Sequence, residues 1–501
     1  MMATLSAIAI TLGELVGPSA GPLAAAPIRD LVLDSRTAHA GAAFVALKGT
    51  RDHGLRHAAD ALARGAEVVL YDPDELAGET VADAVADRAV AVPRLAARCG
   101  ELAGKLYGPA MRHVELAGIT GTNGKTTVAH LVAQAMARAG RRCGYVGTLG
   151  NGLPDALERH ALTTPDCFTL HRELAALAAN GGTHAALEVS SHALAQDRIA
   201  GLAIRTAAFT NLTRDHLDAH GSLDAYGAAK ARLFERAGVR YAVVNVGDVF
   251  GARLAERLAS GATPIRVAAA DVGSVDLGAR VTSRGLEGLE LELHGRFGDA
   301  GLRSPLIGTF NAENLLVALG VLIAWELPLA DACAALESCS APPGRLDVVN
   351  PHAGSAAPYV VVDYAHTPDG LERVLDTVRS LATGDVWCVF GCGGERDRGK
   401  RAPMGAIAAA RADHVIVTDD NPRGEDPDSI VRDILDGVGA HPHVVVEHDR
   451  AAAIRKAIRG ARPGDVVLIA GKGHETTQRI GADERPFSDR AQALAALEEL
   501  G

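Results

Sequence analysis

Gly118-Ile-Thr-Gly-Thr-Asn-Gly-Lys-Thr-Thr127 decides how the rest of this chain is read. The apolar run before it, His113-Val-Glu-Leu-Ala117, predicts a buried strand. The stretch after it, Thr127-Val-Ala-His-Leu-Val-Ala-Gln-Ala-Met136, predicts a helix capped by small polar residues. Strand, glycine loop and helix N-terminus in that order make an anion cradle. N–H groups left unpaired in the first helical turn point at phosphate oxygens, and the helix dipole favours negative charge there. The candidate triphosphate contacts are therefore Gly118, Thr120, Gly121, Thr122, Asn123, Gly124, Lys125, Thr126 and Thr127. Lys125 can neutralise the outer phosphates, and the Thr126 hydroxyl can ligate magnesium. The spacing departs from the standard P-loop, which has glycine where Ile119 stands. A plain glycine turn is the bland alternative, but the context on both sides fits a nucleotide site.

With 501 residues the chain has room for about three domains of ordinary size, and 48% hydrophobic residues can fill several cores. A net charge of −11 argues against a nucleic-acid surface but not against small anions held by local Lys and Arg. Seven scattered cysteines without paired metal spacing suggest free thiols in a reducing cytoplasm. The first 27 residues carry no Lys or Arg ahead of their apolar stretch, and Glu14 interrupts it. This argues against a signal peptide, and no run approaches membrane-spanning length.

The fold class expected is α/β in three domains. Residues 1–110 form a smaller N-terminal α/β domain, 111–342 a central P-loop-type ATPase domain, and 343–501 a C-terminal doubly wound, Rossmann-like domain. In the first, Leu31–Arg36 and Ala42–Lys48 read as strands ending in polar turns. Ser35, Arg36, Lys48 and Gly49 are candidate anion contacts there, although each alone would pass as a turn residue. In the second, Ala185–His192 predicts a strand delivering Glu188, which is costly to bury unless it is paired or holds a cation. Another strand leads into a polar segment with Asp215 and His216. Thr126, Glu188 and His216, from three strand ends, make a candidate magnesium set. His216 and His220 could mimic a zinc pair, but no further ligands support it. Lys230, on a predicted helix, reads by itself as a solvated lysine. Asn311 and Asn314, one turn apart, read by spacing as helix caps, with a base edge as the alternative.

Pro342-Pro-Gly-Arg345 is a natural linker. Beyond it four apolar strands each run into a polar loop: Tyr364–Pro368, Gly391–Arg401, Asp419–Arg423 and Gly471–Glu475. Helical stretches intervene, so the sheet is expected to be mostly parallel, with ligands beyond its carboxyl edge.

These residues carry a resemblance across essentially the whole chain to the Mur ligases, the amide-forming family that builds the peptidoglycan peptide stem. The matching pieces are Asp34–Arg36, Gly118–Thr127, Thr163–Pro165, Glu188–His192, Asn211–Asp218, Asp363–Pro368, Asp420–Arg423 and Gly471–Glu475. The unusual phosphate-loop spacing also matches. Within the family the pattern resembles that of the ligases adding meso-2,6-diaminopimelate to UDP-N-acetylmuramoyl-L-alanyl-D-glutamate. The resemblance implies that Ser35 and Lys48-Gly49 hold the uridine diphosphate, and that Thr163, Thr164, Ser190, Gln196 and Arg198 line the muramoyl-dipeptide path. It implies that Asn311 and Asn314 approach adenine, reversing the capping reading, and that Arg345 and Asp363 close onto ATP. Glu188 and His216 would hold magnesium, and Lys230 matches the lysine that the family carbamylates. A carbamate there would make Lys230 an oxygen ligand for a second ion. Lys125, Lys230, His216 and Asp363 would thus form the reacting centre. Arg396, Asp420, Asn421, Pro422, Arg423, Gly471 and Glu475 would hold diaminopimelate, with Glu475 facing an ammonium. Lysine-adding relatives lack the arginine at the position of Arg423.

The expected chemistry is transfer of the ATP γ-phosphoryl to the D-glutamate carboxylate, then attack of the amine on the acyl phosphate, under hinged domain closure. The expected partners are small molecules, without nucleic acid or membrane insertion, for a monomer in the cytoplasm. The alternatives are an L-lysine-adding ligase, a folylpolyglutamate synthetase and a nucleotide-driven switch.

Overall fold

The computed structural model describes residues 9–500, apart from 50–51, 77, 79, 161, 214–219, 259–260, 270–274, 351–356 and 441. By packing, the chain separates into two compact units. One is built from the chain up to Arg266 with Gly320–Glu326, the other from Val267–Leu319 with Leu327 onward.

The first unit holds a two-stranded antiparallel pair, Ile10–Thr11 with Pro27–Ile28, and two larger sheets. Strands Asp30–Val32, Ala42–Ala46, Val68–Tyr71 and Ala89–Ala91 form a four-stranded parallel sheet in sequence order. Its core includes Leu102, Leu106 and Tyr107 of helix Leu95–Met111, and continues into Phe168 and Ala175 of helix Cys167–Ala179. The second sheet places the strand of the phosphate loop, Glu115–Thr120, between His184–Glu188 and Ile204–Phe209, parallel to both. Cys143–Gly147 and Tyr241–Asn245 extend it on either side, also in parallel. The hairpin Gly150–Leu153 with Ala156–Glu158 adds antiparallel strands at one edge, which the sequence reading did not anticipate. The central strand therefore ends amid the carboxyl ends of its neighbours, where open α/β sheets bind ligands.

In the second unit, Leu277–Gly285, Gly288–Gly295 and Ala300–Ser304 form an antiparallel meander, also outside the sequence expectation. The larger sheet runs Asp347–Val348, Tyr359–Asp363, Val466–Ala470, Val386–Phe390, His414–Val417, Val444–Val446, with every pair after the first parallel. Side chains alternate across it. Val361, Cys388, Phe390, Val415 and Leu468 pack with helices Pro368–Leu381, Arg401–Arg411 and Pro427–Val438. Val360, Val362, Val389, Ile416 and Ile469 pack with helices Arg450–Gly460 and Asp489–Glu498. Both faces are covered, so the strands are apolar throughout, as a doubly wound parallel sheet requires. All seven cysteines are buried and free. Among the described residues no helix is long and apolar enough to cross a membrane.

Candidate functional site

The phosphate-loop strand continues three residues beyond Ala117, and the helix starts at Lys125, two residues earlier than the sequence suggests. No side chain caps that helix. Gly124 occupies the cap position at φ 85°, in the left-handed region that glycine adopts without strain. The first-turn N–H groups are thus left for a ligand rather than consumed by a serine or aspartate. Gly121 (φ 149°) is needed for close approach, since a Cβ there would overlap Thr210 Oγ1.

Thr210–Thr213, just past the strand Ile204–Phe209, brace this loop. Asn211 O accepts from Thr122 N at 2.8 Å, Asn211 Oδ1 from Asn123 N at 3.0 Å, and Thr210 Oγ1 donates to Asn123 O at 2.5 Å. Lys125 curls back, donating Nζ to Gly121 O (2.9 Å) and Thr122 O (2.8 Å). Lys230 is not the solvated lysine that its helix suggests. It is 1% exposed, donates Nζ to Gly121 O at 2.7 Å and lies 4.1 Å from the Tyr226 ring centroid.

Thr126 and Glu188 meet directly, with Thr126 Oγ1 donating to Glu188 Oε2 at 2.9 Å. Glu188 is 1% exposed and also accepts from Tyr145 Oη, from Thr148 N at 2.9 Å and from Thr148 Oγ1 at 3.3 Å. All these donors are neutral, and no Lys or Arg pairs with the carboxylate among the described residues. A buried anion satisfied only by neutral donors is an incomplete arrangement that a cation completes, so the site fits magnesium. Gly147 permits it, because a Cβ there would overlap Glu188 Oε1. The third proposed ligand, His216, lies outside the described residues, as does Asp215.

The residues expected to line a muramoyl-dipeptide path are linked to one another near the same strand ends. Thr163 Oγ1 is 3.2 Å from Thr148 Oγ1. Thr164 Oγ1 donates to Glu188 O (2.7 Å) and accepts from Ser190 N (3.2 Å). Arg198 donates to Thr164 O (2.9 Å) and grips Gln196 Oε1 through Nε and Nη2. Burial holds the Arg198 guanidinium below its ordinary value. Ser35 and the exposed Lys48-Gly49 turn follow adjacent parallel strands of the N-terminal sheet, at its carboxyl edge.

In the second unit, Asn311 and Asn314 do not cap their helix by accepting from its N–H groups. Asn311 Nδ2 donates to Ile307 O and Asn314 Nδ2 to Asn311 Oδ1, each at 2.7 Å. Asp363, at a strand end, accepts from Leu346 N (2.7 Å) and Ala365 N (2.8 Å). Burial raises its pKa, opposed by Arg345 and these N–H groups. Arg345 lies 5.2 Å from the Tyr364 ring centroid. Burial first, then Glu475, raises the Tyr364 hydroxyl, which also feels Arg345, Asp420 and Arg396.

The polar loops of the C-terminal sheet converge. Asn421 Nδ2 donates to Glu475 Oε2 at 2.9 Å. Lys472, fully buried, donates Nζ to Asn421 Oδ1 and to Glu475 Oε2, each at 3.0 Å, and lies 3.4 Å from Asp420 Oδ1. The ammonium facing Glu475 here is thus that of Lys472, a residue the sequence reading passed over although it lies within Gly471–Glu475. Arg423, with φ 54°, donates Nη1 to Gly394 O at 2.8 Å, and a Cβ at Gly393 would touch both Arg423 Nη1 and Arg396 Cγ. Gly471 faces Asp420 and Arg450. Pro422 is buried. Thr148, Tyr145, Thr210 and Lys472 are the contributors that sequence motifs did not single out. For Thr148, Thr210 and Lys472 the common signal is a polar residue just past the carboxyl end of a parallel strand, whereas Tyr145 lies inside its strand.

Comparison with known proteins agrees with this arrangement along the chain. The model described as Mur ligase family, catalytic domain, matches residues 27–107; Mur ligase middle domain matches 119–322; Mur ligase, glutamate ligase domain, matches 344–473. A protein of Alkalilimnicola ehrlichii named UDP-N-acetylmuramoyl-L-alanyl-D-glutamate–2,6-diaminopimelate ligase is 46% identical over 94% of this chain and 95% of its own. A Pseudomonas aeruginosa protein of the same name is 47% identical, with 94% and 95% covered. A solved structure under that name superposes with a TM-score of 0.72 at 34% identity, covering 98% of this chain and 99% of its own. With near-full-length relatives this similar and three family models in chain order, the chain belongs to the Mur ligase family, and its fold is that family's three-domain α/β fold.

Proposed function

We infer that this chain is an ATP-dependent amide ligase adding meso-2,6-diaminopimelate to the D-glutamate of UDP-N-acetylmuramoyl-L-alanyl-D-glutamate, a step of peptidoglycan synthesis. The observation that carries this is the near-full-length identity of 46–47% to enzymes named for the reaction. The geometry fits it. A carboxylate resists amines because oxide is its leaving group, whereas the acyl phosphate made with the ATP γ-phosphoryl group has a good one. In that transfer two anions approach, so positive charge must be waiting for them. Lys125 and the uncapped N–H groups after Gly124 supply it from the chain. Magnesium, held by Thr126, Glu188 and His216, supplies further charge neutralisation when bound.

On this reading Ser35, Lys48 and Gly49 take the uridine diphosphate end. Thr163, Thr164, Ser190, Gln196 and Arg198 orient the muramoyl dipeptide. Asn311, Asn314, Arg345 and Asp363 act on ATP. Lys230 carries a carbamate in the working enzyme, turning a buried ammonium into an oxygen ligand. Arg396 and the Asp420–Arg423 loop, with Gly471 and Glu475, select the amino acid: the Arg423 guanidinium receives the far carboxylate that lysine lacks, and Glu475 the adjacent ammonium. We assign residues 1–110, 111–342 and 343–501 to the uridine-, ATP- and amino-acid-binding domains of a monomeric, cytoplasmic enzyme.

The test is incubation with ATP, magnesium, UDP-muramoyl dipeptide and a panel of amino acids, read by product mass. An adduct with meso-diaminopimelate supports the assignment. An adduct with L-lysine alone leaves a ligase of the other specificity, and phosphate release without any amide removes the ligase reading.

A further inference from the structure

The Asp420-Asn-Pro-Arg423 loop is held from outside itself, chiefly by the hairpin Thr477–Ile480 and Asp483–Pro486. Arg423 adopts φ 54°, a left-handed conformation that a non-glycine residue keeps only where its surroundings enforce it. The hairpin does so from both sides. Arg423 N donates to Arg479 O at 3.1 Å, and Gly481 N donates to Arg423 O at 2.6 Å, which makes a parallel bridge between Arg423 and Ile480. Arg479 N also donates to Asn421 Oδ1 at 3.0 Å.

Between these backbone bonds lies Gln478, fully buried. Its Nε2 donates to Asp420 O at 3.0 Å and Asp419 O at 3.3 Å, the two carbonyls just ahead of the loop's specificity residues. Its Oε1 accepts from Arg485 Nη2 at 2.8 Å, on the other strand of the hairpin. Every polar atom of the Gln478 amide is thus used to tie hairpin to loop, and a buried amide is retained at such a place only when its bonds are made.

We propose that Gln478 is a positioning residue for amino-acid selection: by fixing the Asp419 and Asp420 carbonyls it sets the loop from which Arg423 presents its guanidinium. The proposal rests on the diaminopimelate reading above, since it acts only through Arg423. Among the described residues the Gln478 amide bonds only the Asp419 and Asp420 carbonyls and Arg485, none of them assigned above to ATP, so its removal is expected to leave ATP handling alone.

The experiment uses the full-length enzyme with Gln478→Leu, which keeps size and loses the amide, and Gln478→Glu, which keeps the acceptor for Arg485 but removes the donor to the carbonyls. Both are expected to raise the KM for meso-diaminopimelate about 5- to 20-fold, the loss of one to two ordinary hydrogen bonds, with kcat and the ATP KM within about twofold. In an Arg423→Ala background, Gln478→Leu should add nothing further to the diaminopimelate KM, which a merely structural role would not predict. Thermal melting of each variant is read alongside. If Gln478→Leu fails to fold, Gln478→Glu decides the question in its place. An unchanged diaminopimelate KM in a folded variant, equal losses for ATP and diaminopimelate, or a full extra penalty on top of Arg423→Ala each overturn the proposal. A wild-type enzyme that makes no diaminopimelate adduct refutes the underlying reading instead.

Discussion

Arg423→Ala is the perturbation whose size the structure constrains best. The guanidinium is half-buried and, among the described residues, makes one hydrogen bond, to Gly394 O at 2.8 Å, so its remaining donors can serve a ligand. A carboxylate in that fork makes two charge-assisted bonds, each roughly 1.5–3 kcal/mol. The guanidinium must leave water to make them, and partial exposure screens the charges, which trims the net loss on truncation to about 1.5–3 kcal/mol. At about 1.4 kcal/mol per decade, the KM for meso-diaminopimelate should rise roughly 10- to 150-fold. The assay is ADP release at saturating ATP and UDP-muramoyl dipeptide with diaminopimelate varied, repeated with ATP varied. The ATP KM should stay within about twofold, and Arg423→Lys should be only partly better than alanine, because an ammonium cannot make the planar fork. Equal use of L-lysine by the wild type, or an unmoved diaminopimelate KM in Arg423→Ala, would refute the specificity argument while leaving the ligase chemistry untouched.

Three further outcomes are expected. Lys125→Ala should lose amide formation by at least about 10²- to 10³-fold, the scale of removing one preorganised charge-stabilising group, while calorimetry shows a folded protein; near-normal turnover would sink the phosphate-loop assignment. Lys230→Ala should be almost inactive, with partial recovery in added formate or acetate, and mass spectrometry under bicarbonate should find the carbamate on wild type; activity without rescue would remove the oxygen-ligand role. Asp489→Ala should cost about 3–5 kcal/mol in urea unfolding, because the fully buried Arg450 would lose both bonds to that carboxylate, at 2.7 and 2.8 Å; a midpoint like wild type would show that the pair carries little stability.

What the sequence disclosed and what it withheld follow from range. The phosphate loop was legible because its signal is local: glycines where φ must be positive, apolar residues before, helix formers after. The C-terminal sheet was legible because four apolar strands each run into a polar loop. The meander Leu277–Ser304 carries its own alternation, Leu289, Leu291 and Leu293 inward against Glu290 and Glu292, but no chemical motif marks it. Thr126 was legible as sharing a site with Glu188, since both stand at strand ends, but Tyr145 and Thr148, which converge on it from 43 and 40 residues away, were not. Nor was the burial of Lys230 or Lys472, since a lysine's burial is decided by what folds over it rather than by its neighbours in the chain.

The long-range contact that says most about the chemistry is the carbonyl of Gly121, which accepts from both Lys125 and Lys230. Two ammonium groups on one oxygen stand within twice a hydrogen-bond length of each other, where like charges repel by roughly 3 kcal/mol at an effective dielectric of about 20. A phosphate beside Lys125 offsets that repulsion for as long as the nucleotide stays. Conversion of the Lys230 amine to a carbamate does more, because it removes one of the two positive charges and puts a negative one in its place. On the proposed carbamate, this crowding at Gly121 is one more reason for the modification. Lys125 would then keep its charge for the phosphoryl group, and Lys230 would offer oxygen to a second cation.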